Sequence, residues 1–161
     1  MKSLIKKLLA NRIGQKLISL AYKIWCLLCK MLPLKNRVLF FTIRANGKLL
    51  DNAKSVYDSL NADKMIFAHM LPHSHSLSFK ALFFILTSKV IVTDDYLRYS
   101  RYTKFRKEQK VFQIWHACGS FKMFGLDAPS KLTTEQEKAT HSQYSAVAVT
   151  GEECRKHYAG A

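Results

Sequence analysis

The residues best placed to do chemistry stand just behind one apolar run: His116, Gly119, Ser120 and Lys122 follow Val111, Phe112, Gln113, Ile114 and Trp115. An imidazole titrates near neutrality and accepts a hydroxyl proton, which suits an alcohol attacking a phosphorus atom. Gly119 and Ser120 would leave backbone N–H groups free at a helix start, and Lys122 adds a cation, so the segment is suited to hold phosphate. A histidine at the end of a strand is also a common structural residue, and both readings stay open on these residues alone. The catalytic one requires that the surrounding elements bring His116 to the carboxyl edge of a parallel sheet, where α/β folds place their sites.

The elements needed for this are present in the pattern. Apolar runs at 38–42, 65–70, 89–93, 111–115 and 144–150 read as strands. They alternate with helical spacing at Ala53, Val56, Tyr57 and Leu60, at 77–87, from Thr133 or Thr134 to Ala139, and from Gly151 onward. Asp51 or Asn52 is the expected N-cap of the first of these. Alternation of this kind predicts an α/β fold, a Rossmann-like parallel sheet flanked by helices. A single Gly47 in the loop after the first strand makes no dinucleotide fingerprint. Asp94 and Asp95 at the end of the third strand read as capping or loop hydrogen-bonding groups, and His73 and His75 as solvated loop residues. Cys26 and Cys29 have CxxC spacing without a second pair, so they read as small apolar side chains on one helix face, and no metal is expected.

The run QIWHACGSFKMFGLD at 113–127 resembles the strand-His-Lys-Gly signature of the CDP-glycerol glycerophosphotransferase family, the teichoic acid primases and polymerases of Gram-positive bacteria. RVLFFT, LLDNAKSVYDSL and SKVIVTDDY fit in the same order, so the resemblance spans residues 37–158. Many members have Gly directly after the histidine, where this chain has Ala117. The resemblance implies the N-terminal half of a GT-B glycosyltransferase-like fold, with the active site between two Rossmann-type domains. It further implies transfer of glycerol phosphate or a related polyol phosphate from a CDP-polyol to a lipid-linked acceptor, with release of CMP. His116 would then be the base, Gly119, Ser120 and Lys122 the phosphate-holding group, and no cofactor is implied. A chain of 161 residues has room for one ordinary domain. Residues 35–161 are thus expected to be the acceptor-side domain, with the donor-binding domain missing and little activity from these residues alone.

The formal charge of +15 is unevenly distributed. Residues 1–37 hold nine Lys and Arg and no acid, residues 98–110 hold six with one acid, and the remainder has eleven basic and ten acidic residues. Two basic segments attached to a nearly neutral core favour an anionic surface or substrate over a uniformly basic nucleic-acid fold. Residues 1–34 read as a basic amphipathic helix lying in a membrane interface, with Lys6, Lys7, Arg12, Lys16 and Lys23 on headgroups and Trp25 near the acyl boundary. Lysines interrupt the segment too often for a spanning helix or a signal-peptide core. The competing reading is a helix packed on the domain with a solvated basic face. In 96–110, aromatic residues alternate with cations in a pattern that suits single-stranded nucleic acid and a membrane interface equally well, and the N-terminal basic helix favours the membrane or an anionic acceptor. Together with what the resemblance implies, these features make a peripheral position at the cytoplasmic face of a bacterial cell membrane the expectation. A non-catalytic membrane-associated module and a basic nucleic-acid-binding protein are the alternatives.

Overall fold

A computed structural model describes residues 12–42, 44, 48–60, 65–69, 78–96, 103–115, 125–128 and 133–160. Strands β1 (Lys35–Thr42), β2 (Met65–His69), β3 (Ser88–Thr93), β4 (Lys110–Gln113) and β5 (Ala146–Val147) form one five-stranded sheet in the order β2-β1-β3-β4-β5. Every pairing is parallel. The helices are α1 (Arg12–Met31), α2 (Asp51–Ser59), α3 (Phe79–Thr87), α4 (Thr134–His141) and α5 (Glu152–Gly160). The expected parallel α/β sheet is therefore what the chain forms. Its order reverses between β1 and β3, the switch point at which such sheets open a crevice beyond their carboxyl ends.

Strand periodicity explains why both faces are covered. Leu39 and Phe41 of β1, Ile91 of β3 and Val111 of β4 pack on one face against Tyr22, Cys26 and Cys29 of α1 and Ala81, Leu82, Ile85 and Leu86 of α3. Phe40, Val92 and Ile114 point to the other face, where Ala53, Val56 and Tyr57 of α2 meet them. A strand such as VLFFT, apolar at successive positions, needs helices on both sides.

Local chemistry sets the element ends. Ser78 caps α3 by accepting from the Ala81 N–H at 2.9 Å. Thr133 and Gln136 form a reciprocal capping box at α4, as the expected start at Thr133 or Thr134 requires. Helix α2 differs from expectation, because its N-cap is Leu50 and no side chain caps it. Strand β4 stops at Gln113, short of the expected 115, and β5 is confined to Ala146–Val147.

Helix α1 shares the core of the sheet. Its Cys26 and Cys29 are buried free thiols, and Tyr22 stacks on Phe79 with ring centroids 5.1 Å apart. Trp25, expected at a membrane, is half-buried here: its Nε1 donates to the Phe79 carbonyl at 2.9 Å and its ring meets the Phe79 ring edge-on at 5.6 Å. The opposite side of α1 is a stripe of Ile13, Leu17, Leu20, Ile24, Leu27, Leu28 and Met31, each between 49% and 82% exposed. Lys16 and Lys23 are exposed along one border of that stripe. The side chain of Arg12, together with Lys6 and Lys7, lies outside the described residues. No described helix is long and apolar enough to cross a membrane.

The basic linker also differs from expectation where it is described. Arg106 donates to the carbonyls of Leu32 at 2.7 Å, Cys29 at 3.1 Å and Leu86 at 2.8 Å, so this guanidinium ties the ends of α1 and α3 together and is not free for an external anion. Phe105 packs on the same core. Arg37 of β1 donates to Ser88 Oγ at 2.8 Å and to Thr87 Oγ1, and lies over the Phe84 ring at 4.9 Å.

Candidate functional site

The carboxyl edge of the sheet holds a network of short polar side chains. At the switch point, Thr42 at the end of β1 donates from Oγ1 to Oδ2 of the buried Asp94 at 3.1 Å, and accepts from the Arg44 N–H at 3.1 Å. Burial pushes the Asp94 carboxyl above its ordinary range, and the Thr42 hydroxyl partly offsets the shift. Asp95 accepts from the Tyr96 N–H through its side chain, and its carbonyl accepts from Thr93 Oγ1 and from Gln113 Nε2. These two carboxylates thus serve the loop hydrogen bonding expected of them.

Beyond β4 the backbone changes direction abruptly. The Ile114 N–H still donates to the Thr93 carbonyl at 2.9 Å, but Trp115 has φ 48°, in the left-handed region that aromatic residues seldom occupy. Side-chain amides surround this turn. Oε1 of the fully buried Gln113 accepts from the Trp115 N–H at 3.0 Å, while its Nε2 reaches the Asp95 carbonyl at 2.9 Å. Nδ2 of Asn52, in the first turn of α2, donates to the carbonyls of Ile114 at 3.2 Å and Trp115 at 3.3 Å. Asn52, read from the sequence as a candidate cap, serves the turn just beyond β4, 62 residues away.

A cavity of about 270 Å³ lies against this turn, with Asn52 and Ser55 of α2, Ile114 and Trp115, and Thr150 and Tyr158 among its walls. The Trp115 and Tyr158 rings meet at 5.8 Å. Burial raises the Tyr158 phenol above its usual value, and nearby Cys154 adds to the shift. Mostly apolar walls with a few amides and hydroxyls suit a small polar ligand with an apolar side. To the side, the Tyr96 hydroxyl donates to Glu137 Oε2 at 3.1 Å, which anchors α4 to the exit of β3.

His116, Gly119, Ser120 and Lys122 lie outside the described residues. What the structure does describe is the residue before them: Trp115, just beyond β4 at the carboxyl edge, lines the cavity. Sequence reasoning missed Asn52 and Gln113 as site builders. Gln113 had left a signal, a polar residue inside an otherwise apolar run, which in a buried strand must find partners. Asn52 had left none beyond its fit to a cap. Among the described residues no His, Cys, Asp or Glu cluster could hold a metal.

Comparisons with known proteins agree on one lineage. The model of the family described as CDP-glycerol:poly(glycerophosphate) glycerophosphotransferase matches residues 26–161. The chain is 30% identical to the teichoic acid poly(ribitol-phosphate) polymerase of Bacillus spizizenii over 93% of its own length and 26% of the relative's. It is 28% identical to the teichoic acid ribitol-phosphate primase of the same species, over 96% of its length and 43% of that protein's. A teichoic acid glycerol-phosphate primase of Bacillus subtilis is 35% identical over 46% of the chain and 21% of the primase. Among solved structures, a histidine-to-asparagine variant of the wall teichoic acid polymerase TagF soaked with CDPG superposes with a TM-score of 0.65 at 13% identity, covering 99% of this chain and 44% of that one. The chain thus spans less than half the length of these relatives.

Proposed function

The chain belongs to the CDP-glycerol:poly(glycerophosphate) glycerophosphotransferase family, and from that premise we propose that it forms the acceptor-side half of a GT-B-like transferase in teichoic acid synthesis. The reaction moves a polyol phosphate, glycerol phosphate or ribitol phosphate, from a CDP-polyol to a hydroxyl of a lipid-linked acceptor. The acceptor oxygen forms a bond to the β-phosphorus of the donor, the bond from that phosphorus to the bridging oxygen breaks, and CMP leaves. His116 takes the acceptor proton. Gly119, Ser120 and Lys122 hold and neutralise phosphate, and positioning with charge stabilisation supplies most of the rate.

The observation that carries this reading is the family match over residues 26–161, on a parallel sheet whose fourth strand ends beside a cavity lined by Ile114 and Trp115. The attachment to a bilayer rests on α1, with its apolar stripe facing solvent and lysines along the border. A peripheral position on the cytoplasmic face of the cell membrane follows from that reading.

The test is CMP release from CDP-glycerol and from CDP-ribitol by the complete protein, with membranes supplying the acceptor. His116→Ala is expected to lower turnover by about 10²–10⁴-fold, the usual contribution of a positioned acid or base, while leaving thermal unfolding unchanged. Turnover within a few-fold of the parent would remove His116 from the mechanism. Preference between the two donors decides which polyol is transferred.

A further inference from the structure

The cavity beside β4 has an indole fixed into its wall. Trp115 adopts φ 48° although it is neither Gly, Asn nor Asp, a conformation that persists only where neighbours enforce it. Gln113 Oε1 accepts from its N–H at 3.0 Å, and Asn52 Nδ2 donates to its carbonyl at 3.3 Å. The ring so held meets Tyr158 of α5 at 5.8 Å with the two planes 60° apart, so the pair forms a corner and not a slot. Val56 and Ile114 add apolar surface, while Asn52, Ser55 and Thr150 bring an amide and two hydroxyls.

These walls select among ligands. None of the described residues that line the cavity carries a formal charge, so an anion would lose hydration there without gaining a partner. A flat nucleobase gains most from a ring lying parallel over its face, which a 60° corner does not offer on both sides. The hydroxyls of Ser55, Thr150 and Tyr158 can each donate or accept, and Asn52, whose Nδ2 serves the turn, keeps its carbonyl oxygen as an acceptor. That set matches a ligand whose own hydroxyls do both. The carbon chain of a polyol, with C–H groups against the rings and hydroxyls toward the polar atoms, meets both kinds of wall. The volume of about 270 Å³ corresponds to about nine waters at their liquid share of about 30 Å³ each. A glycerol or ribitol unit fits in that space, and a whole CDP-polyol does not.

Resting on the reading of this chain as half of a polyol-phosphate transferase, we propose that the cavity is a subsite for the neutral carbon chain of a polyol. Trp115 and Tyr158 are its apolar platform, and phosphate is held outside it. The polyol is either the terminal unit of the acceptor or the unit being transferred, two sources of the same chemistry.

Two measurements on the complete protein test this. In saturation-transfer difference NMR with ribitol and with glycerol, the C–H protons of at least one are expected to receive saturation, and neither inorganic phosphate nor cytidine is expected to displace it. Trp115→Ala removes the indole while leaving the backbone hydrogen bonds of the turn. Ser55→Leu, at an exposed position of α2, fills the cavity without touching the core. Each is expected to lower the transfer by about 5-fold or more, with far-UV circular dichroism unchanged, and if Trp115→Ala does not fold, Ser55→Leu decides. Undiminished transfer in Ser55→Leu, no transfer to either polyol, or displacement by phosphate or cytidine overturns the proposal.

The second measurement identifies the source. In steady-state CMP release, Ser55→Leu is expected to raise one KM by about 5-fold or more. A rise for acceptor-bearing membranes assigns the cavity to the acceptor's terminal polyol, and a rise for the CDP-polyol assigns it to the unit being transferred. Both constants within about 2-fold of the parent overturn the proposal. If the parent releases no CMP from CDP-glycerol or CDP-ribitol, the transferase reading fails by itself, and the saturation-transfer result still decides whether the cavity binds a polyol.

Discussion

Burial determines which of the chain's nucleophiles stay inert. Cys26 and Cys29 lie in the core, and removal from water pushes the Cys26 thiol up to about 11, with the neighbouring Cys29 adding to the effect and Lys30 opposing it. The Cys29 thiol is raised for the same reason, with Arg106 opposing. A thiol whose folded pKa lies above its unfolded value of 9.0 contributes stability that is complete below pH 9 and is lost as pH rises toward about 11. Melting temperature is therefore expected to fall between pH 9 and 11, and to fall less steeply in Cys26→Ala. Parallel curves for parent and variant would show that Cys26 is not the titrating group. At neutral pH both thiols stay protonated and shielded, which suits side chains used for packing.

Long-range polar contacts, more than apolar patterning, hold the elements in register. Arg106 closes the carboxyl ends of α1 and α3 through backbone carbonyls of Cys29, Leu32 and Leu86. Arg106→Ala leaves those acceptors without their charged donor and is expected to destabilise the fold by about 2–4 kcal/mol, measured by urea unfolding; Arg106→Lys should recover only part, since an ammonium lacks the planar fork. A change below about 0.5 kcal/mol in Arg106→Ala would mean that water serves those carbonyls equally well. This contact also marks where sequence reading ran out. The alternation of strands and helices was legible because periods of 2 and 3.6 are local properties, and so was the helix start at Thr133, whereas the Ser78 cap was overrun by a helix read from Leu77. Arg106 looked like a free cation and Asn52 like a cap, because each is defined by partners 20 to 77 residues away. The end of β4 was overrun because Ile114 and Trp115 continue the apolar pattern while the backbone turns left-handed under side chains from other elements. The Val111 run before His116 was legible as a strand, and the amides that terminate it were not.

At the scale of the molecule, α1 is the element with two apolar sides, one in the core and one in solvent. If its exposed stripe rests on a bilayer, Leu17→Glu with Leu27→Glu is expected to reduce flotation with phosphatidylglycerol vesicles by 10-fold or more while leaving melting temperature within about 2 °C, since both side chains are already exposed. Undiminished flotation of this double variant would move the attachment to another surface. The packing of α1 has a geometric consequence as well. Its Tyr22, Cys26 and Cys29 share a core with Leu39, Phe41, Ile91 and Val111 of the sheet, so the helix cannot roll without dragging the strands along. Any surface that held the stripe would therefore fix the bearing of the whole domain, as a keel fixes a hull, and would keep the carboxyl edge of the sheet at a constant height above itself.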